Sequence, residues 1–127
     1  MAGELILIVE DNETNLRLVR KVLEFRGYRT LPARTGEEAI PLVREHRPDL
    51  ILMDLQLPGM NGADALRCIR AEPQISGTPV LALTALALSQ DQDRFGSEFD
   101  AYLTKPVDVN ELCEQVRSFC DLRSTNN

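Results

Sequence analysis

A handful of positions in this chain carry side chains that could do chemistry. Glu10 and Asp11 stand side by side after the apolar run Leu5–Val9. Asp54 follows Leu50-Ile51-Leu52-Met53, Thr84 follows a run ending in Leu83, and Lys105-Pro106 follows Leu103-Thr104. Adjacent carboxylates repel, so two of them capping a greasy run need either free solvation or a cation. Crowded carboxylates select a hard divalent cation, and Mg²⁺ takes few protein oxygens and keeps waters. A carboxylate can also be a nucleophile and become an aspartyl-phosphate. Phosphoryl transfer asks mainly for alignment and for neutralisation of the equatorial oxygens. A metal and a Lys ammonium supply positive charge, and a Thr hydroxyl supplies one directed hydrogen bond. In this reading Asp54 accepts the phosphoryl group while Glu10 and Asp11 hold the metal. Taken singly, each residue also has a plainer role. Asp11 can cap a helix, Thr84 can be a β-branched strand end, and Lys105 can be a solvated loop charge.

The elements that would position these groups are legible from periodicity. The short, continuous and β-branched apolar run 5–9 predicts a buried strand, and further short strands are predicted at 28–31, 50–53, 79–83 and 101–103. Leu16, Val19, Val22 and Leu23 recur at helical spacing, and Gly27 supplies a stop. Thr35-Gly36-Glu37-Glu38 has the form of a capping box and opens a second helix. Pro41 removes a backbone donor, so that helix is expected to start late or to be distorted. Further helices are predicted at 63–71, more weakly at 86–95, and after the capping box Asp108-Val109-Asn110-Glu111. In the last of these, Val109, Leu112, Cys113, Val116, Phe119 and Cys120 trace one buried face. Strict β–α alternation implies a parallel sheet with helices on both faces. Ligands in such sheets bind beyond the carboxyl ends of the strands. Four of the five strand ends then deliver Glu10, Asp11, Asp54, Thr84 and Lys105 to one edge, which weakens the plainer readings.

Composition narrows the remaining options. The 127 residues form one expected domain, with a core over 5–121 and a frayed tail at 122–127. A hydrophobic fraction of 43% supports a core without metal or disulfide staples. The net charge of −6 argues against a nucleic-acid footprint, which needs clustered cations. Cys68, Cys113 and Cys120 form no CxxC pair and read as reduced thiols of a cytoplasmic protein. No apolar run reaches the roughly 18 residues of a membrane span.

The residues Glu10-Asp11, Asp54, the loop Leu57-Pro58-Gly59-Met60-Asn61-Gly62, Thr84-Ala85 and Lys105-Pro106 together resemble the receiver domain of two-component response regulators. The resemblance spans nearly the whole chain. It implies the CheY-like, flavodoxin-like doubly wound fold: a five-stranded parallel sheet of order 2-1-3-4-5 flanked by five helices. It implies phosphotransfer to Asp54 from a sensor histidine kinase or histidine phosphotransfer protein, and a downstream protein target. By the same resemblance Mg²⁺, with Mn²⁺ as a substitute, is held by Glu10 (largely through water), Asp11, Asp54 and the backbone carbonyl of Gln56. Lys105 would pair with the phosphoryl group and the Lys105-Pro106 peptide would be cis. Thr84 would swing toward the phosphoryl, and Tyr102 would follow it inward as a switch. Readout would fall on the fourth helix, fifth strand and fifth helix of that fold, with the protein a monomer or weak homodimer.

The chain departs from the family pattern in places. Glu10 replaces the commoner Asp, and its longer arm can still reach a metal-bound water. Glu98 stands where a glycine is usual, so the fourth helix is expected to end early. Gln56 and Leu86, two residues beyond Asp54 and Thr84, offer no base for hydrolysis, which predicts a moderately long-lived phosphoryl group. An aspartyl-nucleophile phosphatase would want a second acid at position 56. A nucleotide-binding flavodoxin-like protein would need a Gly- or Ser/Thr-rich loop after the first strand, and Asp11-Asn12-Glu13 would repel phosphate there. His46 is the only histidine, so no His–Asp relay lies within the chain. The ending shortly after Phe119 favours a stand-alone regulator over a receiver excised from a hybrid kinase.

Overall fold

Residues of alternating parity along the strands face opposite sides of one sheet, and both sides are buried. On one side lie Leu7, Val9, Ile51, Met53, Val80 and Ala82. On the other lie Ile6, Ile8, Leu50, Leu52, Leu81, Leu83 and Leu103. A sheet apolar on both faces must be covered twice, which is why its strands read as continuous greasy runs rather than alternating ones. The computed structural model describes residues 3–57, 59, 62–84, 99–105 and 107–125, with the backbone alone described for 121–125.

The strands are β1 (Leu5–Val9), β2 (Arg29–Ala33), β3 (Leu50–Asp54), β4 (Val80–Thr84) and β5 (Ala101–Thr104). All pair in parallel, in the order β2-β1-β3-β4-β5. The described helices are α1 (Glu13–Phe25), α2 (Gly36–His46), α3 (Gly62–Arg70) and α4 (Val109–Thr125). The first face is covered by α2 and α3 through Ala39, Val43, Ala65, Leu66 and Ile69. The second is covered by α1 and α4 through Leu16, Val19, Leu23, Leu112 and Val116. The helix expected at 86–95, the early end expected from Glu98, and the cis peptide expected at Pro106 lie outside the described residues.

β1 lies where periodicity placed it, and the other four strands end one or two residues later than periodicity suggested. β3 and β4 each take in their polar end residue, Asp54 and Thr84. β2 is an edge strand, and there Pro32 costs nothing central because one side of the strand has no partner.

The expectation of a late start for α2 is corrected. Thr35 caps it, its Oγ1 accepting from Glu38 N–H at 3.1 Å, and the helix begins at Gly36 with Pro41 inside it. Pro41 lies on the exposed side, where the Glu37 carbonyl that loses its donor can be solvated. The α1 helix ends in a Schellman turn: Tyr28 N–H donates to Leu23 O and Gly27 N–H to Glu24 O, with Gly27 at φ 96°.

Candidate functional site

Register brings the acids together. Ile8 pairs with Leu52 and Val9 with Met53, so the next positions along β1 and β3 are Glu10 and Asp54. Neighbouring strands lie about 4.8 Å apart. The carboxylates of Glu10, Asp11 and Asp54 accordingly offer oxygens that all fall within 4.8 Å of one another. Glu10 and Asp54 are both 2% exposed, whereas Asp11 is open to solvent.

Backbone donors hold the two buried carboxylates. Asn12 N–H donates to Glu10 Oε2 at 3.2 Å, and Gln56 N–H donates to Asp54 Oδ1 at 2.9 Å. Lys105, one residue beyond β5, reaches across the strand ends. Its Nζ lies 2.7 Å from Asp54 Oδ2 and 3.2 Å from Glu10 Oε1. The Lys105 backbone is fixed as well, its N–H donating to Thr84 O at 2.7 Å.

Electrostatics follow from this crowding. Burial, and then the hydrogen bond and charge of Asp54, push the Glu10 carboxyl from 4.5 up to about 7, against the opposing pull of Asn12 N–H and Lys105. Burial disfavours the Lys105 ammonium, but the adjoining Asp54 and Glu10 carboxylates outweigh it and hold the group above its ordinary value.

The remaining expected residues fall into place around this cluster. Thr84 is buried at the carboxyl end of β4 beside Thr104 of β5. Tyr102 pairs with Ala82, two residues below Thr84 on the same strand face, and its ring meets Phe99 edge-on at 5.7 Å. Asp11 does not cap α1. That role belongs to Asn12, whose Oδ1 accepts from Asn15 N–H at 2.9 Å, and Asp11 is thereby left at the acid cluster.

Three contributors escaped sequence reasoning. The Asn12 and Gln56 N–H groups are backbone, and no side-chain motif marks them. Gly62 starts α3 against the end of β3: a Cβ there would come within 2.7 Å of the Asp54 carbonyl oxygen and 3.0 Å of Leu55 Cα. The glycine was legible; the close approach that requires it was not.

Could these residues hold a divalent metal? Three carboxylates converge from one edge, two of them desolvated, and all donors are hard oxygens. That set suits Mg²⁺, which binds few protein oxygens and keeps part of its water.

Fold and site together define a class: a doubly wound parallel sheet with an acid cluster and a cross-strand lysine at its carboxyl edge, the architecture of a phosphotransfer signalling domain. The chain belongs to the response regulator receiver domain family, whose profile matches residues 6–117. It is similar to the polar-differentiation response regulator DivK of Brucella anthropi, with 42% identity over 115 residues covering 90% of this chain and 94% of DivK. The Brucella ovis DivK is 41% identical over the same share of each chain. Among solved structures, the receiver domain of a sensor histidine kinase from Pseudomonas aeruginosa superposes with a TM-score of 0.87 at 36% identity, covering 94% of this chain and 99% of that one. That domain holds a magnesium ion in its active-site cleft. A receiver domain of a histidine kinase from Syntrophus aciditrophicus gives a TM-score of 0.85 at 34% identity, covering 93% and 90%. No described helix is long and apolar enough to cross a membrane.

Proposed function

We propose that Asp54 is the phosphoacceptor of a single-domain, cytoplasmic response regulator of the DivK kind, with residues 1–127 forming one receiver. The observation that carries this is the pincer on Asp54: a backbone N–H on Oδ1 and an ammonium on Oδ2 of a carboxylate at the end of the central strand.

In the step itself, an Asp54 oxygen attacks phosphorus of a phosphohistidine on a sensor kinase or phosphotransfer protein. The P–N bond breaks, the imidazole departs with the bonding pair and takes a proton from solvent, and an acyl phosphate remains. Gln56 N–H and Lys105 fix the carboxylate, and Lys105 is placed to follow the charge onto the phosphoryl oxygens. Glu10, Asp11, Asp54 and the Gln56 carbonyl would hold Mg²⁺, which supplies positive charge against the entering phosphoryl group. Thr84 would then donate its hydroxyl to a phosphoryl oxygen, and Tyr102, on the same strand face, would move toward the space released. The output is a contact with a downstream protein. The chain modifies itself and turns over no substrate of its own.

Acetyl phosphate or beryllofluoride with Mg²⁺ tests the assignment. Amide NMR shifts should spread from Asp54 to Thr84 and Tyr102 in the wild type and vanish in Asp54→Asn. Repeated turnover of a phosphoester substrate, or phosphorylation surviving Asp54→Asn, overturns it.

A further inference from the structure

Away from the acid cluster, a groove of about 480 Å³ runs between the C-terminal turn of α1 and α4, lined by Arg26, Tyr28, Asn110, Cys113, Glu114 and Arg117. Its volume lies within the roughly 300–1,000 Å³ typical of small-molecule sites. Two features distinguish it. Described arginines elsewhere are engaged: Arg17, Arg20, Arg34, Arg44, Arg67 and Arg70 with acids, Arg29 with the Gly3 carbonyl and Arg47 with Gln74. Arg26 and Arg117 have no acidic partner among the described residues, and both face this one groove. The walls are also set by rigid structure. Arg26 is the C-cap of α1 and Tyr28 closes the Schellman turn by donating its N–H to Leu23 O. Asn110, Glu114 and Arg117 fall on one face of α4 at helical spacing, and the buried Cys113 also lines the groove.

Two guanidiniums converging from different elements are suited to phosphate oxygens, which they bind through paired, charge-assisted hydrogen bonds. The half-buried Tyr28, packed against the core on that side, adds an aromatic residue to the lining, of the kind against which a base or other ring can rest. We propose that this groove binds a ring-bearing organic diphosphate of the nucleotide class, with Arg26 and Arg117 on the phosphates, Tyr28 against the ring, and Glu114 as the opposing charge that limits affinity. The ligand bridges α1 to α4 and is independent of phosphotransfer at Asp54.

The test titrates the full chain with ADP, pyrophosphate and adenosine, followed by calorimetry and amide NMR. EDTA is present throughout, so that the acid cluster repels anions and cannot act as a decoy site. ADP and pyrophosphate should bind saturably below about 1 mM, with shifts centred on Arg26, Tyr28 and Arg117, and adenosine should not bind. Arg26→Gln and Arg117→Gln should each weaken ADP roughly tenfold, the loss of one hydrogen bond to a charged group. Tyr28→Leu should weaken ADP but leave pyrophosphate unchanged. Glu114→Gln should tighten both, an outcome that misfolding cannot imitate. The proposal fails if neither anion saturates, if the shifts centre on Thr84 and Lys105, or if Glu114→Gln leaves affinity unchanged.

Discussion

Replacing Glu10 by glutamine should stabilise the metal-free protein at pH 8 and change it far less at pH 4 to 5. Glu10 is 2% exposed and lies in hydrogen-bond and charge contact with Asp54, and its carboxyl is pushed from 4.5 up to about 7. Each unit of difference from the unfolded chain is about 1.4 kcal/mol. Ionising Glu10 in the folded state therefore costs on the order of 3 kcal/mol above pH 8. The sign is that of a group whose folded pKa is raised: its stabilising contribution is complete below about 4.5 and is lost as pH rises through about 7. Glutamine resembles the protonated acid, and its oxygen can still accept from Asn12 N–H. It loses the negative charge facing Lys105 Nζ, at present 3.2 Å away. The expected gain at pH 8 is accordingly about 2 kcal/mol, near two-thirds of the ceiling.

Urea unfolding of both proteins in EDTA at pH 5 and pH 8, followed by circular dichroism, reads this directly. Ionisable groups remote from this site are common to both proteins and cancel in the difference. Saturating Mg²⁺ should reverse the order, because a ligand at 100 times its dissociation constant stabilises the protein that binds it by about 2.7 kcal/mol. If the glutamine variant is the less stable protein in EDTA at pH 8, or the gap is the same at both pH values, then charge crowding does not govern this site.

Asp11→Ala should abolish or sharply slow phosphorylation by acetyl phosphate with Mg²⁺ while changing stability by less than about 0.5 kcal/mol, since Asp11 is solvent-exposed and caps no helix; normal phosphorylation would refute its metal-binding role. Gln56 and Leu86 offer no base to activate water, so the phosphoryl group should outlast seconds once donor is removed, and loss within seconds in a decay assay would refute that. Gly62→Ala should cost about 1–3 kcal/mol in urea unfolding, because its Cβ would meet backbone atoms at 2.7 and 3.0 Å that have no side-chain freedom to yield. The same variant should phosphorylate more slowly, since the nearest of those atoms is the Asp54 carbonyl oxygen.

What the sequence disclosed, and what it hid, divides along physical lines. Strand ends could be located because an apolar run stops abruptly at Glu10, Asp54 and Thr84, and the sheet-edge rule then gathers them. Choosing between Asp11 and Asn12 as the cap of α1 was beyond residue type, since both side chains cap helices well. Backbone geometry gave that role to Asn12. Pro41 was read as a barrier, but its ring sits on an exposed face where the orphaned carbonyl is tolerable. The Arg26–Arg117 groove depends on how α4 crosses α1, which periodicity within either helix cannot specify.

Register is the subtler case. A sheet buried on both faces gives up the clearest guide to strand alignment, since a one-residue slip would replace apolar contacts by other apolar contacts. Polar residues must then fix it. Asp49, immediately before β3, does so at the end of the strands away from the site. Its side chain accepts from Leu5 N–H at 2.8 Å while its own N–H donates to Leu5 O at 2.7 Å. From that clamp β1 and β3 run side by side, Ile6 against Leu50 through Val9 against Met53. The next step places Glu10 against Asp54. Leu5 to Glu10 and Asp49 to Asp54 are equal spans of sequence. The pairing of the two buried acids is thus set at the opposite edge of the sheet, by a carboxylate that takes no part in the chemistry.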